Sequence, residues 1–387
     1  MALEFVKRYA SPLAELAEEV GEVIHLPDPI PLYCVLAAEV TARLSYTPLW
    51  IMLVGPSGDG KTLALRTLTR RPHVVWKDVL TVPALLSGTP NKEKIVGATG
   101  GVLYEIGARG TLVLKDFTNI LDLHKDKRGE LMGALRNIHD GDYDRPVGSD
   151  GAKTLKWKGH LAFASACTPI IDRYSDMMAN MGLRFVYVRL MSRINYKGAE
   201  MAARGKRGEA DGKLAELGKD YLEVVDERIG VCGVPEPSAE EVTRMVSMGV
   251  VGSRLRSPVP REGYCHEITE PPSCEAPTKI SAMCGSVWRS LKLLGASEEE
   301  LWDVLERITV DSAPAFRSMV VRKFIATHNR EMSAGDVREL TQCSPSAVTR
   351  FLEDMQVQGM LDTNAGLGGR RWRIGEEFWE EWRRAFG

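Results

Sequence analysis

The run Gly55-Pro56-Ser57-Gly58-Asp59-Gly60-Lys61-Thr62 constrains this chain more than any other stretch. It meets G-x-x-x-x-G-K-[ST] at every specified position. It follows an apolar run of strand length at residues 49–54 (LWIMLV) and precedes a helical pattern over residues 61–70, the setting the motif requires. A strand that breaks at glycines and restarts as a helix gathers backbone N–H groups and the positive end of a helix dipole at one point, which makes an anion site. In such a loop Lys61 neutralises phosphate charge and the Thr62 hydroxyl completes a Mg²⁺ shell. The motif therefore predicts that residues Gly55 through Thr62 cradle a nucleoside triphosphate, ATP, with Mg²⁺.

Two further apolar runs, residues 111–114 (TLVL) and 161–166 (LAFASA), read as buried strands, with helical patterns between and after them, notably at residues 130–139. Buried strands alternating with helices indicate an α/β fold with a parallel sheet and crossover helices. Asp116 ends the first of these runs and is the expected second Mg²⁺ group. The next residue is Phe117, where many ATPases with this loop carry a glutamate that polarises the attacking water. Glu105, just before the strand, is the favoured substitute, with a surface position as its alternative reading.

Composition bounds the rest. The chain has 387 residues, 44% hydrophobic and 26% charged, with a formal net charge of -2, the balance of a globular protein of two or three domains. No apolar run has the length of a membrane span, and the first residues lack the layout of a signal peptide. Seven scattered cysteines without a CxxC pair argue against a disulfide framework and suit a cytoplasmic protein. Cys265, Cys274 and Cys284, with His266, match no zinc spacing. Two amphipathic helices are expected at residues 4–20 and 32–43, separated by LPDPIP, and an exposed helix or linker at 198–219. The expected division is an N-terminal helical segment (1–47), a nucleotide-binding core (48–197), a helical linker and lid (198–314) and a C-terminal module (315–387).

The C-terminal module reads as helix (317–328), helix (333–341), helix (344–361, opened by Ser344-Pro345), then two strands joined by a glycine-rich turn at 366–369. Three helices and a β-wing form the winged-helix pattern, whose third helix normally lies in the DNA major groove. On that reading Ser346, Thr349 and Arg350 face DNA while Arg370 and Arg371 grip phosphates. Glu353 and Asp354 on the same helix keep open the other use of such modules, docking a protein. Lys92, Lys94, Lys153, Lys156 and Lys158 lie in loops and hairpin of the core, where a ring would gather them into an electrostatic funnel for one DNA strand.

Several segments resemble AAA+ ATPases of the clade with a helix-2 insert and a pre-sensor hairpin, which includes minichromosome-maintenance-type helicases and bacterial enhancer-binding activators. Residues 97–116 (GATGGVLYEIGARGTLVLKD) are similar to the stretch leading to their second Mg²⁺ strand. Residues 140–159 read as a β-hairpin around 148–151, which in that clade projects toward a central pore. Thr168 occupies the sensor-1 position, and Gly182-Leu183-Arg184-Phe185 looks like the motif carrying an arginine finger, with Arg173 and Arg189 as rivals. Glu275-Ala276-Pro277-Thr278-Lys279-Ile280 resembles the start of a lid helix, with Lys279 as its sensor-2 base. The same style of motifs with a winged helix is similar to AAA+ proteins of phages and integrative elements. The resemblance covers residues 49–387 and implies a ring, in general a hexamer, acting on DNA as a helicase-like replication motor: single strand in the pore, duplex at the winged helix. The alternative it leaves is an initiator, loader or regulator that uses ATP as a switch. Phe117 and Lys279 depart from the family pattern.

Overall fold

The computed structural model describes residues 11–87, 100–147, 153–190, 196–205, 207–262, 267–270, 273–328, 330–366 and 369–387. Lys92, Lys94, Cys265, His266 and the hairpin tip expected at 148–151 lie outside the described residues. The chain divides into two compact units. The first comprises Met1–Ile171, Arg184–Glu236 and Ser286–Val304; the second comprises Asp172–Leu183, Pro237–Gly285 and Leu305–Gly387.

The first unit is built on a parallel sheet. In chain order its strands are β1 (Trp50–Val54), β2 (Val74–Lys77), β3 (Arg109–Leu114), β6 (His160–Cys167) and β7 (Phe185–Arg189), while β4 (Asp142–Val147) and β5 (Lys153–Lys158) pair separately as an antiparallel hairpin. The spatial order is β2-β3-β6-β1-β7, with Met52 of β1 level with Ser165 of β6 and Tyr187 of β7. Every residue of β1 is buried, and so is nearly all of β6, as strands covered on both faces require. The sequence reading located β1, β3 and β6. The two edge strands, VVWK and FVYVR, are short and carry mixed polarity, and periodicity gave them no distinct signal.

An aromatic cluster fills the sheet's core. Trp50 lies 5.2 Å from Phe163 and 5.0 Å from Phe185, ring centre to ring centre, and Phe117 lies 5.2 Å from Phe185. The Trp50 indole N–H, which would be costly to bury unpaired, donates to the Leu161 carbonyl at 2.6 Å. The helix Ile30–Arg43 corrects one expectation. It is not amphipathic: residues from Pro31 through Ala42 are all buried, packed against β1, β3 and β6. This helix falls within the first unit. Its preceding helix, Pro12–Val23, starts where Ser11 Oγ accepts from the Ala14 N–H at 3.0 Å.

The end of the stretch expected as an exposed helix or linker, at Leu214 and Ala215, contributes to the core as well. Leu214, Ala215, Leu222 and Val225 of the helix Arg207–Cys232 are buried. Gly218 lets that helix approach the end of the helix Lys61–Arg66: a Cβ there would stand 2.0 Å from the Thr67 carbonyl oxygen. The buried Arg71 links the helix Arg207–Cys232 to Ile30–Arg43, bonded to Glu39 at 3.3 Å and to Asp226 at 2.6 Å.

The second unit contains the helix Ala239–Arg256, opened by a capping box on Ser238 and Glu241, and parts of the helices Thr278–Leu293 and Glu298–Asp311. Three helices follow, Ala315–Ala326, Ala334–Thr341 and Pro345–Val357, with a small antiparallel sheet of β8 (Met332–Ser333), β9 (Leu361–Gly366) and β10 (Gly369–Ile374) in the order β8-β10-β9. Ser333 and Ser344 cap the second and third helices as their positions in the sequence imply. A last helix, Glu376–Phe386, was not foreseen. It packs along Ala239–Arg256, where Arg244 Nε donates to the Ala385 carbonyl at 2.8 Å.

Candidate functional site

An open cleft of about 500 Å³ lies at the carboxyl ends of β1, β2, β3 and β6, lined by Ser57, Gly58, Lys61, Thr62, Asp78, Lys115, Asp116, Asn119, Ala166, Cys167 and Thr168. In open α/β sheets ligands bind outside the carboxyl ends of the strands. The loop after β1 turns through Gly58 and Gly60, whose φ values of 94° and 78° belong to the left-handed region that glycine adopts without strain. The helix Lys61–Arg66 begins directly after it.

Lys61 is buried, and its ammonium group donates to the carbonyls of Gly55 at 2.6 Å and Pro56 at 2.5 Å. Burial lowers its pKa, while Asp59, Asp116 and Cys167 pull the other way. A cation held at a desolvation cost gains most from a polyanion, which supplies the opposite charge that burial leaves it without. Asp59, in the same loop, has its Oδ2 buried with no hydrogen-bond partner among the described residues. Gly55 is confined by Leu190, whose Cβ would stand 3.0 Å from an added Cβ.

Asp116 lies two residues past β3, half-buried, with its Oδ1 accepting from the Thr118 N–H at 2.9 Å. Thr62 and Asp116 line the same cleft, and a hydroxyl with one carboxylate is the hard-oxygen set that Mg²⁺ takes alongside substrate phosphates. A cage of three or more acidic, His or Cys ligands is absent among the described residues, and a phosphate-bridged Mg²⁺ does not need one. Because β6 lies between β1 and β3, Cys167 and Thr168 at its end stand between the glycine loop and Asp116. The Thr168 N–H faces Thr118 Oγ1 at 3.5 Å, and burial pushes the Cys167 thiol up to about 11.

The other positions singled out in the sequence fall into three groups. Phe117 is fully buried in the aromatic cluster, so the residue after Asp116 points into the core and away from the cleft. Glu105 does not line the cleft; its carboxylate pairs with Lys77 at 2.8 Å. Arg184 is bonded to Asp140 at 2.7 Å with its side chain only 9% exposed. Asp172 accepts from the Ala315 N–H at 3.1 Å. Burial tends to raise the Asp140 carboxyl, but its hydrogen bond to Arg184, the Arg184 charge and His139 together hold it below the ordinary carboxylate value. Of the rivals, Arg173 is exposed and Arg189 lies over the Tyr187 ring at 5.7 Å. Lys279 is exposed in the first turn of Thr278–Leu293, in the second unit.

On the hairpin, Lys156 and Lys158 are not isolated cations. They face Asp144 and Asp142 across the strands at 3.3 and 3.9 Å, leaving the stem's charge largely balanced. Lys153 is the first residue of β5, level with Val147. In the second unit Ser346 and Thr349 are exposed and Arg350 is half-buried, with its guanidinium 5.6 Å from the Phe351 ring. Arg370 and Arg371 are exposed on β10. Glu353 and Asp354 are held by Arg261, at 3.4 and 2.7 Å, and Asp354 is buried, so the acids of that helix are largely neutralised.

Asp78, Lys115, Asn119 and Cys167 line the cleft although no sequence pattern marked them. They arrive there through the order of the strands, which local periodicity does not encode.

No family model matches this chain, and no curated protein matches it. Among solved structures it is similar to one described as SCCmec type IV Cch, active helicase, at 10% identity and a TM-score of 0.36, over 96% of this chain and 70% of that one. Identity and score that low assign no role to any residue here.

Proposed function

We propose that this chain is an AAA+ ATPase that binds and hydrolyses ATP, assembles into a ring, in general a hexamer, and acts on DNA as a helicase-like motor in replication of a phage or mobile element. One observation carries the reading: the glycine loop with Lys61 and Thr62, the carboxylate of Asp116 and the polar end of β6 at Thr168 meet around one cleft at the ends of adjacent strands. On binding, the loop N–H groups take the phosphates and Lys61 exchanges the Gly55 and Pro56 carbonyls for phosphate oxygens. Thr62 and Asp116 would hold Mg²⁺, which supplies charge neutralisation of the phosphates. Thr168 reports on the terminal phosphate from the strand between. Arg184, released from Asp140 on assembly, reaches a neighbouring subunit's cleft, and Lys279 serves the lid.

The second unit supplies the duplex contact in this reading, through Ser346, Thr349 and Arg350 on the third helix and Arg370 and Arg371 on β10. Lys92, Lys94 and Lys153 contact the single strand in the pore. Acid neutralisation by Arg261 supports that assignment, because it removes the repulsion that Glu353 and Asp354 would exert on phosphate. A second reading, an ATP switch that assembles on DNA or on a protein partner without unwinding, is favoured by one feature: the position after Asp116 is a buried phenylalanine, which offers nothing to activate water.

Titration with labelled ATP and Mg²⁺ tests the common premise, and saturable uptake is expected. Strand displacement on forked DNA separates the two readings: ATP-dependent unwinding supports the motor, and ATP-dependent assembly without displacement supports the switch. ATP turnover unchanged by any DNA counts against the motor. Among the described residues no helix is long and apolar enough to cross a membrane.

A further inference from the structure

Hydrolysis is helped by a group that takes the proton of the attacking water, and neither the residue after Asp116 nor Glu105 supplies one. Phe117 is locked in the core, and Glu105 is paired with Lys77 outside the cleft. Among the described residues that line the cleft, two are acids, Asp116 and Asp78. Asp116 is the carboxylate assigned to Mg²⁺ in the reading above, and it also accepts from the Thr118 N–H.

Asp78 sits one residue past β2. That strand pairs in parallel with β3, Lys77 level with Leu114, and the ladder continues one step further through the Lys115 N–H, which donates to the Lys77 carbonyl at 3.1 Å. Asp78 is therefore level with Lys115 and one residue short of the level of Asp116, on the adjacent strand. Asn119 Nδ2 donates to the Asp78 carbonyl at 3.4 Å and fastens its backbone. Asp78 lines the cleft, its side chain is 79% exposed and thus open to water, and its carboxylate meets Lys115 Nζ at 3.3 Å.

We propose that Asp78 is the general base of ATP hydrolysis in this protein. The water oxygen bonds to the γ-phosphorus as its proton passes to an Asp78 carboxylate oxygen. The bond from the γ-phosphorus to the β,γ-bridging oxygen breaks, its electron pair leaves with ADP, and Asp78 returns its proton to solvent. The assignment rests on the ATP-hydrolysing reading above. It moves the base from the strand that holds Mg²⁺ to its neighbour, which is why no pattern around Asp116 reveals it.

The test compares the full-length protein with Asp78→Asn, Asp78→Glu and Glu105→Gln, measuring labelled-ATP binding and steady-state hydrolysis on each. In Asp78→Asn, binding and KM stay within about twofold, while kcat falls by roughly 10²–10³ as expected for a lost general base. Asp78→Glu recovers part of kcat. A kcat for Asp78→Asn within about threefold of the parent overturns the assignment, as does loss of ATP binding in that variant or loss of turnover confined to Glu105→Gln. Parent protein that binds ATP without turning it over overturns it also. Parent protein that binds no ATP removes the underlying reading itself, and the binding measurement tells that failure apart from the others.

Discussion

The cleft of the first unit and the helix-and-strand module of the second are assembled by opposite routes. The cleft draws its groups from four separated stretches, at residues 57–62, at Asp78, at residues 115–119 and at residues 166–168, which meet only because β6 is inserted between β1 and β3. The module draws its exposed cations and hydroxyls from one continuous stretch, residues 344–374, in chain order. A site of the first kind fails all at once when a central group is lost, because each group has a distinct chemical task. A charged surface of the second kind loses affinity in increments, because each cation does the same work. Lys61→Ala breaks the comparison most sharply. It should abolish saturable ATP uptake while the far-UV spectrum and duplex DNA binding stay those of the parent, since the strands that position the loop are buried independently of the lysine. Loss of both activities together would show that the two units do not work separately.

Arg184 tests whether the cleft is complete within one chain. An arginine supplied in trans is worth about 10³-fold or more in turnover. Arg184→Ala should therefore keep ATP binding and lose the rise of turnover with protein concentration. Asp140→Asn is the sharper probe, because it removes the charge of a carboxylate that binds the guanidinium within its own chain. It should lower the protein concentration at which turnover appears. Acid has the same direction of effect: the Asp140 carboxyl is held below its ordinary value in the folded chain, so the contact is fully present above that ordinary value and is lost as pH falls through the folded one. Normal concentration dependence in Arg184→Ala would pass the role to Arg173 or Arg189.

In the module, reversing two charges with Arg370→Glu and Arg371→Glu should weaken duplex binding by about 10²-fold and flatten its salt dependence, whatever the DNA sequence. ATP uptake should not change. An unaltered salt slope would mean that β10 does not touch phosphate. The same contrast explains what the sequence makes legible. Ser333, Ser344-Pro345 and the 366–369 turn are local punctuation, and the helices and strands they delimit lie where that punctuation puts them. The glycine loop is legible for the same reason. Asp78, Asn119 and Cys167 are not, because their presence in the cleft depends on which strands are neighbours. The buried helix Ile30–Arg43 was misread because its polar residues are satisfied internally: Thr41 donates to the Ala38 carbonyl at 2.7 Å, and Glu39 pairs with Arg71. Polarity alone then mimics an exposed face.

Arg261 gives the smallest effect and the most specific one. Its guanidinium holds Asp354, whose carboxyl burial pushes up and whose bond and charge contact with Arg261 bring partly back down; the net direction is upward. With the folded value above the unfolded one, the native state holds a proton that the unfolded chain has released. Stability therefore falls as pH rises through the window between the two values, and above it the buried carboxylate remains a standing cost. Arg261→Ala removes the partner that limits this cost, which is worth about 1–2 kcal/mol near neutral pH for a charge left buried without its bond. The loss should shrink as the solution is acidified, because a protonated Asp354 no longer needs a cation. Thermal melting of parent and variant at neutral and mildly acidic pH measures this, and Arg261→Lys should restore part of the difference. Duplex binding at neutral pH should weaken as well, since Glu353 and Asp354 would regain their repulsion of phosphate. If melting shifts equally at both pH values while binding is untouched, Arg261 acts by packing alone and the acids of the third helix do not bear on DNA.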